Sequence, residues 1–122
     1  MKLKGGGMQV KISVAGHEVV AKLKDNAAAK KLWDSLPQTF NMQNLYGLEM
    51  CARLGRGALP TREAQNMNYA IGDMSYWPPL GSLVILYQQN GEIFEQEPLG
   101  HIDNDISFFE GMLTSAITFS KI

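Results

Sequence analysis

Apolar and polar residues alternate along most of this 122-residue chain, and only one segment clearly repeats its apolar residues with the period of a helix. A period of two places every second side chain on the same face of a strand, so each alternating run predicts a strand with one buried face. The runs are short and are separated by residues that favour turns. This pattern restricts the chain to a fold built mainly from short β-strands.

The first two alternating runs, Met8–Val14 and Glu18–Lys24, flank the turn residues Ala15 and Gly16 and therefore predict a β-hairpin. The later predicted strands are Gln38–Met42, Leu48–Leu54, Met74–Trp77, Ser82–Tyr87, one or two strands within Glu92–Ile102 interrupted by Pro98, and Thr114–Phe119. Of these, Ser82–Tyr87 is apolar on both faces, which indicates a strand in the middle of the fold. Residues 55–72 show no sustained period and predict a long loop with a helical turn near Arg62–Gln65.

The helical period lies between residues 26 and 36. Apolar side chains recur there at the spacing of a single helix face: Ala29, Leu32, Trp33 and Leu36. Asp25 or Asn26 can cap the start, and Pro37 disfavours helix at the residue before it. These signals predict a helix over Asn26–Leu36 with Leu32 and Trp33 buried against the sheet. A second, short helix is predicted near Asp105–Glu110.

Seven or eight short strands in one chain of this length predict a closed barrel, because closure removes the unpaired edges of a sheet. We therefore expect a mainly all-β protein, an antiparallel eight-stranded barrel with one or two short helices. Residues 8–122 form this single domain in the prediction. Residues 1–7 resemble a flexible leader or a cloning remnant.

Composition sets further limits. Eleven basic and twelve acidic residues give a formal charge of −1, so the net charge of the domain does not favour binding to nucleic acid. No run reaches the roughly 18 apolar residues of a membrane helix, and no signal peptide is recognisable. The single cysteine, Cys51, excludes an internal disulfide. These features predict a cytoplasmic protein, although a secreted protein whose signal peptide had been removed would have the same sequence.

Neither metal nor cofactor is predicted. His17, His101 and Cys51 do not have the spacing of a zinc site, and the run Asp103–Asp105 is better explained as a helix cap than as a calcium loop. The arginines near the long loop, Arg53, Arg56 and Arg62, are candidates for an anionic ligand or solvated loop charges.

The segment Ala70–Pro79, Ala-Ile-Gly-Asp-Met-Ser-Tyr-Trp-Pro-Pro, follows the hairpin and helix and precedes a long apolar strand. In this order, and at Leu99-Gly100-His101-Ile102, the chain resembles bacterial and archaeal cyclophilin-like domains of uncharacterised function. The resemblance spans residues 8–122. It implies an eight-stranded barrel with a helix at one or both ends.

The resemblance also raises prolyl cis/trans isomerisation, the reaction of true cyclophilins. Those enzymes place an arginine on the strand after the first helix, where this chain has Met42 within Thr39-Phe40-Asn41-Met42. The next strand, with Arg53, lacks the glutamine pattern of the enzymes. A thioether offers no hydrogen-bond donor. We therefore predict negligible isomerase activity and no catalytic residue, with peptidyl-prolyl isomerase as the alternative function.

The function predicted instead is binding of an unidentified small molecule or a peptide without catalysis. Aromatic side chains near strand ends belong either to the core or to the wall of an apolar pocket. The predicted ligand-binding residues are drawn from these aromatic residues, from the arginines, and from the position at which the resemblance places the arginine of true cyclophilins. They are Phe40, Met42, Tyr46, Arg53, Arg62 and Tyr87. The sequence does not set an oligomeric state.

Overall fold

The structure is a computed structural model that describes residues 7–122, so the predicted leader lies outside the described residues except for Gly7. The strands are β1 (Gln9–Val14), β2 (His17–Leu23), β3 (Gln38–Leu45), β4 (Glu49–Arg53), β5 (Gln65–Met67), β6 (Asp73–Trp77), β7 (Ser82–Leu86), β8 (Phe94–Ile102) and β9 (Ser115–Lys121). One α-helix, α1 (Ala27–Asp34), and one 3₁₀ helix (Ser107–Phe109) complete the described elements. Neither helix is long and apolar enough to cross a membrane.

Eight strands form a closed antiparallel barrel, as the sequence predicted. Their order around the wall is β2, β1, β9, β3, β4, β7, β6 and β8. Pairing of Ala21–Leu23 with Gly100–Ile102 joins β8 back to β2 and closes the cylinder. Closure leaves the barrel without a free sheet edge.

The chain between β4 and β6 differs from the prediction of a loop with a helical turn. It contains the short strand β5, which pairs with the first three residues of β8 outside the barrel sheet. The expected helical turn is a hydrogen-bonded turn instead, in which the Ala64 amide donates to the Thr61 carbonyl at 3.2 Å. Strand β8 continues through Pro98 as one element, but its register against β6 shifts there: Met74 pairs with Gly100 and Ser75 with Pro98, so β8 carries one extra residue, Leu99.

Side chains that alternate along the strands fill the barrel interior. The fully buried members with the largest side chains include Ile12, Met42, Met50, Met74, Tyr76, Leu83, Ile85, Leu99 and Phe119. The apolar residues of the 3₁₀ helix region, Ile106 and Phe109, belong to the same core. Asp105 accepts the Ser107 amide at 2.9 Å, so the acidic run holds the start of that helix.

Helix α1 begins where the sequence predicted a cap. The Asn26 side chain accepts a hydrogen bond from the Ala29 amide at 2.8 Å, and its Nδ2 donates to the Pro98 carbonyl at 2.8 Å. The cap therefore also fixes the helix to β8. Leu32 is buried as expected, whereas Trp33 is only half-buried, at the margin of the apolar stripe. The Lys121 ammonium lies 5.2 Å from the centre of the Trp33 ring.

Replacing Leu32 with alanine is expected to lower the free energy of unfolding by about 2–5 kcal/mol, because it leaves a cavity between α1 and the barrel. Denaturant unfolding followed by circular dichroism measures this change. The exposed neighbour Lys31 provides a matched control on the same helix, since Lys31→Ala creates no cavity. A loss below about 1 kcal/mol for Leu32→Ala would contradict the packing of this helix.

Candidate functional site

A second apolar layer lies outside the barrel wall, on the outer face of β4 and β7. Along β4 the side chains of Met50 and Ala52 enter the interior, so those of Glu49, Cys51 and Arg53 lie on the outer face. All five residues of β7 are buried, which requires cover on both faces of this strand. The continuous apolar run in the sequence predicted such a position.

The cover comes from the chain around β5 and from the segment between β7 and β8. Tyr69 and Phe94 meet edge to face with ring centres 5.8 Å apart, over Val84 and Leu86 of β7. The Tyr69 hydroxyl donates to Asn90 Oδ1 at 3.1 Å. These contacts bring residues distant in sequence onto one face of the barrel wall.

Buried polar contacts hold this cover in place. The Ser75 hydroxyl on β6 donates to Gln96 Oε1 on β8, and both side chains are almost completely buried. Gln96 Nε2 in turn donates to the Met67 carbonyl at 2.9 Å, which links β8 to the end of β5. Because both of these buried side chains have hydrogen-bond partners, the outer layer is ordered by hydrogen bonds as well as by apolar contact.

Between the cover and the wall a cleft of about 390 Å³ opens to solvent, and we call it the outer cleft. Its floor is formed by Glu49, Cys51 and Arg53 of β4, Ser82 and Val84 of β7, and Trp77 of β6. Its sides are formed by Leu45, Tyr46, Leu48, Tyr69, Leu80, Asn90, Glu92, Ile93 and Phe94. A pocket of this size with mostly apolar walls and a few polar groups suits a small ligand.

The outer cleft has exposed apolar residues around it. Tyr46 is 87% exposed, Ile93 66% and Leu80 39%. Large apolar side chains left in water at one place mark a surface that another molecule can cover.

Glu49 is the acidic residue on the floor of the outer cleft, and its pKa is shifted. Burial raises its pKa from the ordinary value of 4.5 to about 7, because desolvation disfavours the charged carboxylate. Burial also raises the pKa of the neighbouring Cys51 thiol, and a hydrogen bond with Ser82 partly opposes that rise. The thiol is therefore kept in its neutral form near pH 7 and is a poor nucleophile.

Comparison with known proteins adds the family. A model described as the cyclophilin-like family matches residues 12–119. The chain belongs to the cyclophilin-like family. The solution structure of a hypothetical protein from Archaeoglobus fulgidus has the same fold, with a TM-score of 0.71, 13% sequence identity and coverage of 100% of both chains. A search of curated proteins finds no significant match.

The residues that carried the resemblance to cyclophilin-like domains have structural roles here. Asp73 accepts the Ala70 amide at 2.9 Å, and its other oxygen lies 2.8 Å from His101 Nδ1. A Cβ added to Gly72 would lie 2.3 Å from the Ile102 carbonyl oxygen. The Gly-Asp pair and the Gly-His pair thus join β6 to β8. Among residues 7–122, no three His, Cys, Asp or Glu side chains come together as a set that could hold a metal ion.

The structure brings two of the six predicted ligand-binding residues, Tyr46 and Arg53, to the outer cleft. Phe40 and Met42 lie in the barrel interior instead, as expected for alternate residues of β3. Tyr87 is buried, and its hydroxyl donates to Asn44 Oδ1 at 2.6 Å.

Arg62, the sixth predicted residue, lies in the exposed turn before β5 and does not line the outer cleft. The prediction lacked Glu49, Ile93 and most of the other residues around the cleft. Strand alternation could have placed Glu49 and Cys51 on one face with Arg53. No local pattern places Ile93 opposite them.

Proposed function

We propose that this cyclophilin-like chain is a binding protein that holds a small molecule or a peptide in the outer cleft without transforming it. The observation that carries this proposal is the coincidence of a 390 Å³ cleft with exposed apolar side chains. Of the seven large apolar residues exposed in residues 7–122, three line this cleft: Tyr46, Leu80 and Ile93. Covering them would remove apolar surface from water, which favours association.

Polar groups on the floor give the cleft a means of selecting a ligand. The guanidinium of Arg53 can donate two parallel hydrogen bonds to a carboxylate or phosphate. The half-buried Trp77 lies on the strand next to β7, in register with Ser82, the partner of Arg53. A ligand with an apolar body and an anionic group therefore matches this end of the cleft.

Peptidyl-prolyl isomerisation is the alternative, and the presence of Arg53 in the cleft is the observation that favours it. Catalysis would require this guanidinium to act at the proline nitrogen, since Met42 lies in the barrel interior. A protease-coupled assay with several residues before the proline measures this activity. We expect no acceleration above background, and acceleration that Arg53→Ala abolishes would establish the enzyme instead.

Binding in the outer cleft can be measured with anilinonaphthalene sulfonate, which combines an aromatic body with an anionic group. We expect saturable fluorescence enhancement with one dye per chain and amide NMR shifts confined to the cleft. Ile93→Asp should weaken binding about tenfold or more, because burying an isoleucine side chain is worth about 1.5–3 kcal/mol.

The matched control is Leu113→Asp. Leu113 is 82% exposed and does not line the outer cleft, so this variant introduces the same charge at another exposed apolar site. We expect it to leave dye affinity unchanged. Equal weakening by both variants, or NMR shifts spread over the whole surface, would contradict the proposed function.

A further inference from the structure

The charged side chains of the outer cleft are separated by sign. Glu49 and Arg53 lie on the same face of β4, four residues apart, and pair across the sheet with Leu86 and Ser82. At about 3.4 Å per residue, their Cα atoms are about 14 Å apart. The cleft therefore has an acidic end and a basic end.

A second carboxylate, Glu92, strengthens the acidic end. Asn90 joins it to Tyr69: Asn90 Nδ2 donates to the Glu92 carboxylate at 2.6 Å, and the Tyr69 hydroxyl donates to Asn90 Oδ1 at 3.1 Å. Glu49, Tyr69 and Glu92 all line the cleft, and the charges of both carboxylates add to the effect of burial in raising the pKa of the Tyr69 hydroxyl. In residues 7–122, neither Glu49 nor Arg53 takes part in an ion pair, so both are free to meet charges on a ligand.

The space between the two ends is lined by apolar side chains. Val84 and Cys51 form the floor there, and Phe94 and Ile93 form the side. A ligand that spans the cleft consequently needs an apolar middle. An anionic ligand alone would leave the acidic end without a partner.

We propose that the occupant of the outer cleft is a short extended apolar peptide with free termini, its ammonium group at Glu49 and Glu92 and its carboxylate at Arg53. This inference rests on the proposed binding function. An extended chain advances about 3.3–3.6 Å per residue, so three or four residues span the distance between the charged ends. An internal segment of a longer chain carries no terminal charges and would not satisfy either end.

Calorimetric titration with the tetrapeptide Leu-Ala-Ala-Leu tests the inference. Four forms are compared at pH about 7.5, where Glu49 and a terminal amine are both substantially ionised: free, N-acetylated, C-amidated, and blocked at both ends. The free peptide should bind most tightly. Each single block should weaken binding about fivefold to tenfold, as expected for the loss of a charge-assisted contact.

Variants assign each block to its end of the cleft. Acetylation should lose its effect in the double variant Glu49→Gln, Glu92→Gln, and amidation should lose its effect in Arg53→Gln. Each combination of a blocked terminus with a protein variant forms a double-mutant cycle, which isolates the interaction between that terminus and the replaced side chain. Arg62→Gln removes an exposed arginine outside the cleft and should retain both effects. Amide NMR spectra verify that each variant is folded.

The outcomes also separate this inference from the binding function on which it rests. If the doubly blocked peptide binds as tightly as the free peptide, or if no peptide binds while the dye still binds in the cleft, the peptide proposal is wrong and the binding function stands. If the dye does not bind in the cleft either, both are wrong. If Glu49→Gln instead abolishes the effect of amidation, the peptide binds in the opposite direction and the proposed orientation is wrong.

Discussion

Gly81→Ala is expected to lower the free energy of unfolding by about 2–5 kcal/mol, the sum of backbone strain and steric overlap. Gly81 has a φ of +69°, a left-handed conformation that costs other residues about 1–2 kcal/mol. A Cβ at this position would lie 1.9 Å from the Gly55 carbonyl oxygen and 2.6 Å from the Arg56 amide nitrogen. Both neighbours are backbone atoms, so the overlap cannot be relieved by rotating a side chain.

The backbone around Gly81 is also held by hydrogen bonds. Its carbonyl accepts from the Leu54 amide at 2.8 Å and from the Gly55 amide at 3.0 Å. Moving the chain away from an added methyl group would break this connection between the β6–β7 turn and the end of β4. The expected cost therefore exceeds that of strain alone.

Gly91→Ala separates the two contributions. Gly91 has a similar φ of +78°, but no atom lies within 4 Å of an added Cβ. This variant should lose only about 1–2 kcal/mol from strain. Denaturant unfolding of the two variants gives the steric contribution as their difference, and equal losses would contradict the close contact at Gly55.

The barrel was predictable because its determinants are local. The alternation in Met8–Val14 fixes which side chains enter the core, Asn26 caps the start of the helix, and the helix ends at Asp34, ahead of Pro37. The same alternation places Phe40 and Met42 together in the interior. Residue type and the resemblance favour both as ligand-binding residues, but the face of the strand on which they lie turns them away from the outer cleft.

The outer cleft was not predictable, because it depends on contacts between segments far apart in sequence. Ile93 and Phe94 reach a floor made by residues of β4, about forty positions earlier. The apolar run of β7 indicated that some segment covers its outer face, but not which one. Strand β5 was missed for a related reason, since its three residues are held by pairing with β8 and by Gln96 rather than by a pattern of their own.

Titration of Glu49 should make stability depend on pH in a direction opposite to that of a carboxylate in an ion pair. Its pKa in the folded protein is about 7, against 4.5 as the ordinary value. Between these pH values the folded state binds more protons than the unfolded state, so the free energy of unfolding falls as pH rises. The stabilisation is fully present below pH about 4.5 and is lost once pH exceeds about 7.

Replacing Glu49 with glutamine removes this titration and keeps the shape of the side chain. Relative to the wild type, Glu49→Gln should gain about 1–2 kcal/mol in free energy of unfolding between pH 4 and pH 8, a value reduced for the partial exposure of the carboxyl to water. The titratable and charged groups that line the cleft with Glu49 are Glu92, the Cys51 thiol and the Tyr69 hydroxyl, with Arg53 at the opposite end. Denaturant unfolding at a series of pH values measures the gain.

Glu95→Gln is the matched control for the loss of one negative charge, because Glu95 is an exposed carboxyl outside the outer cleft. Subtracting its pH profile removes the general effect of net charge and isolates the cleft position. A gain for Glu49→Gln that develops between pH about 4.5 and about 7 would show that the cleft desolvates this carboxyl, and it would explain why an ammonium group is a favourable ligand there. A constant difference across the whole pH range would instead place Glu49 in contact with water and contradict its raised pKa.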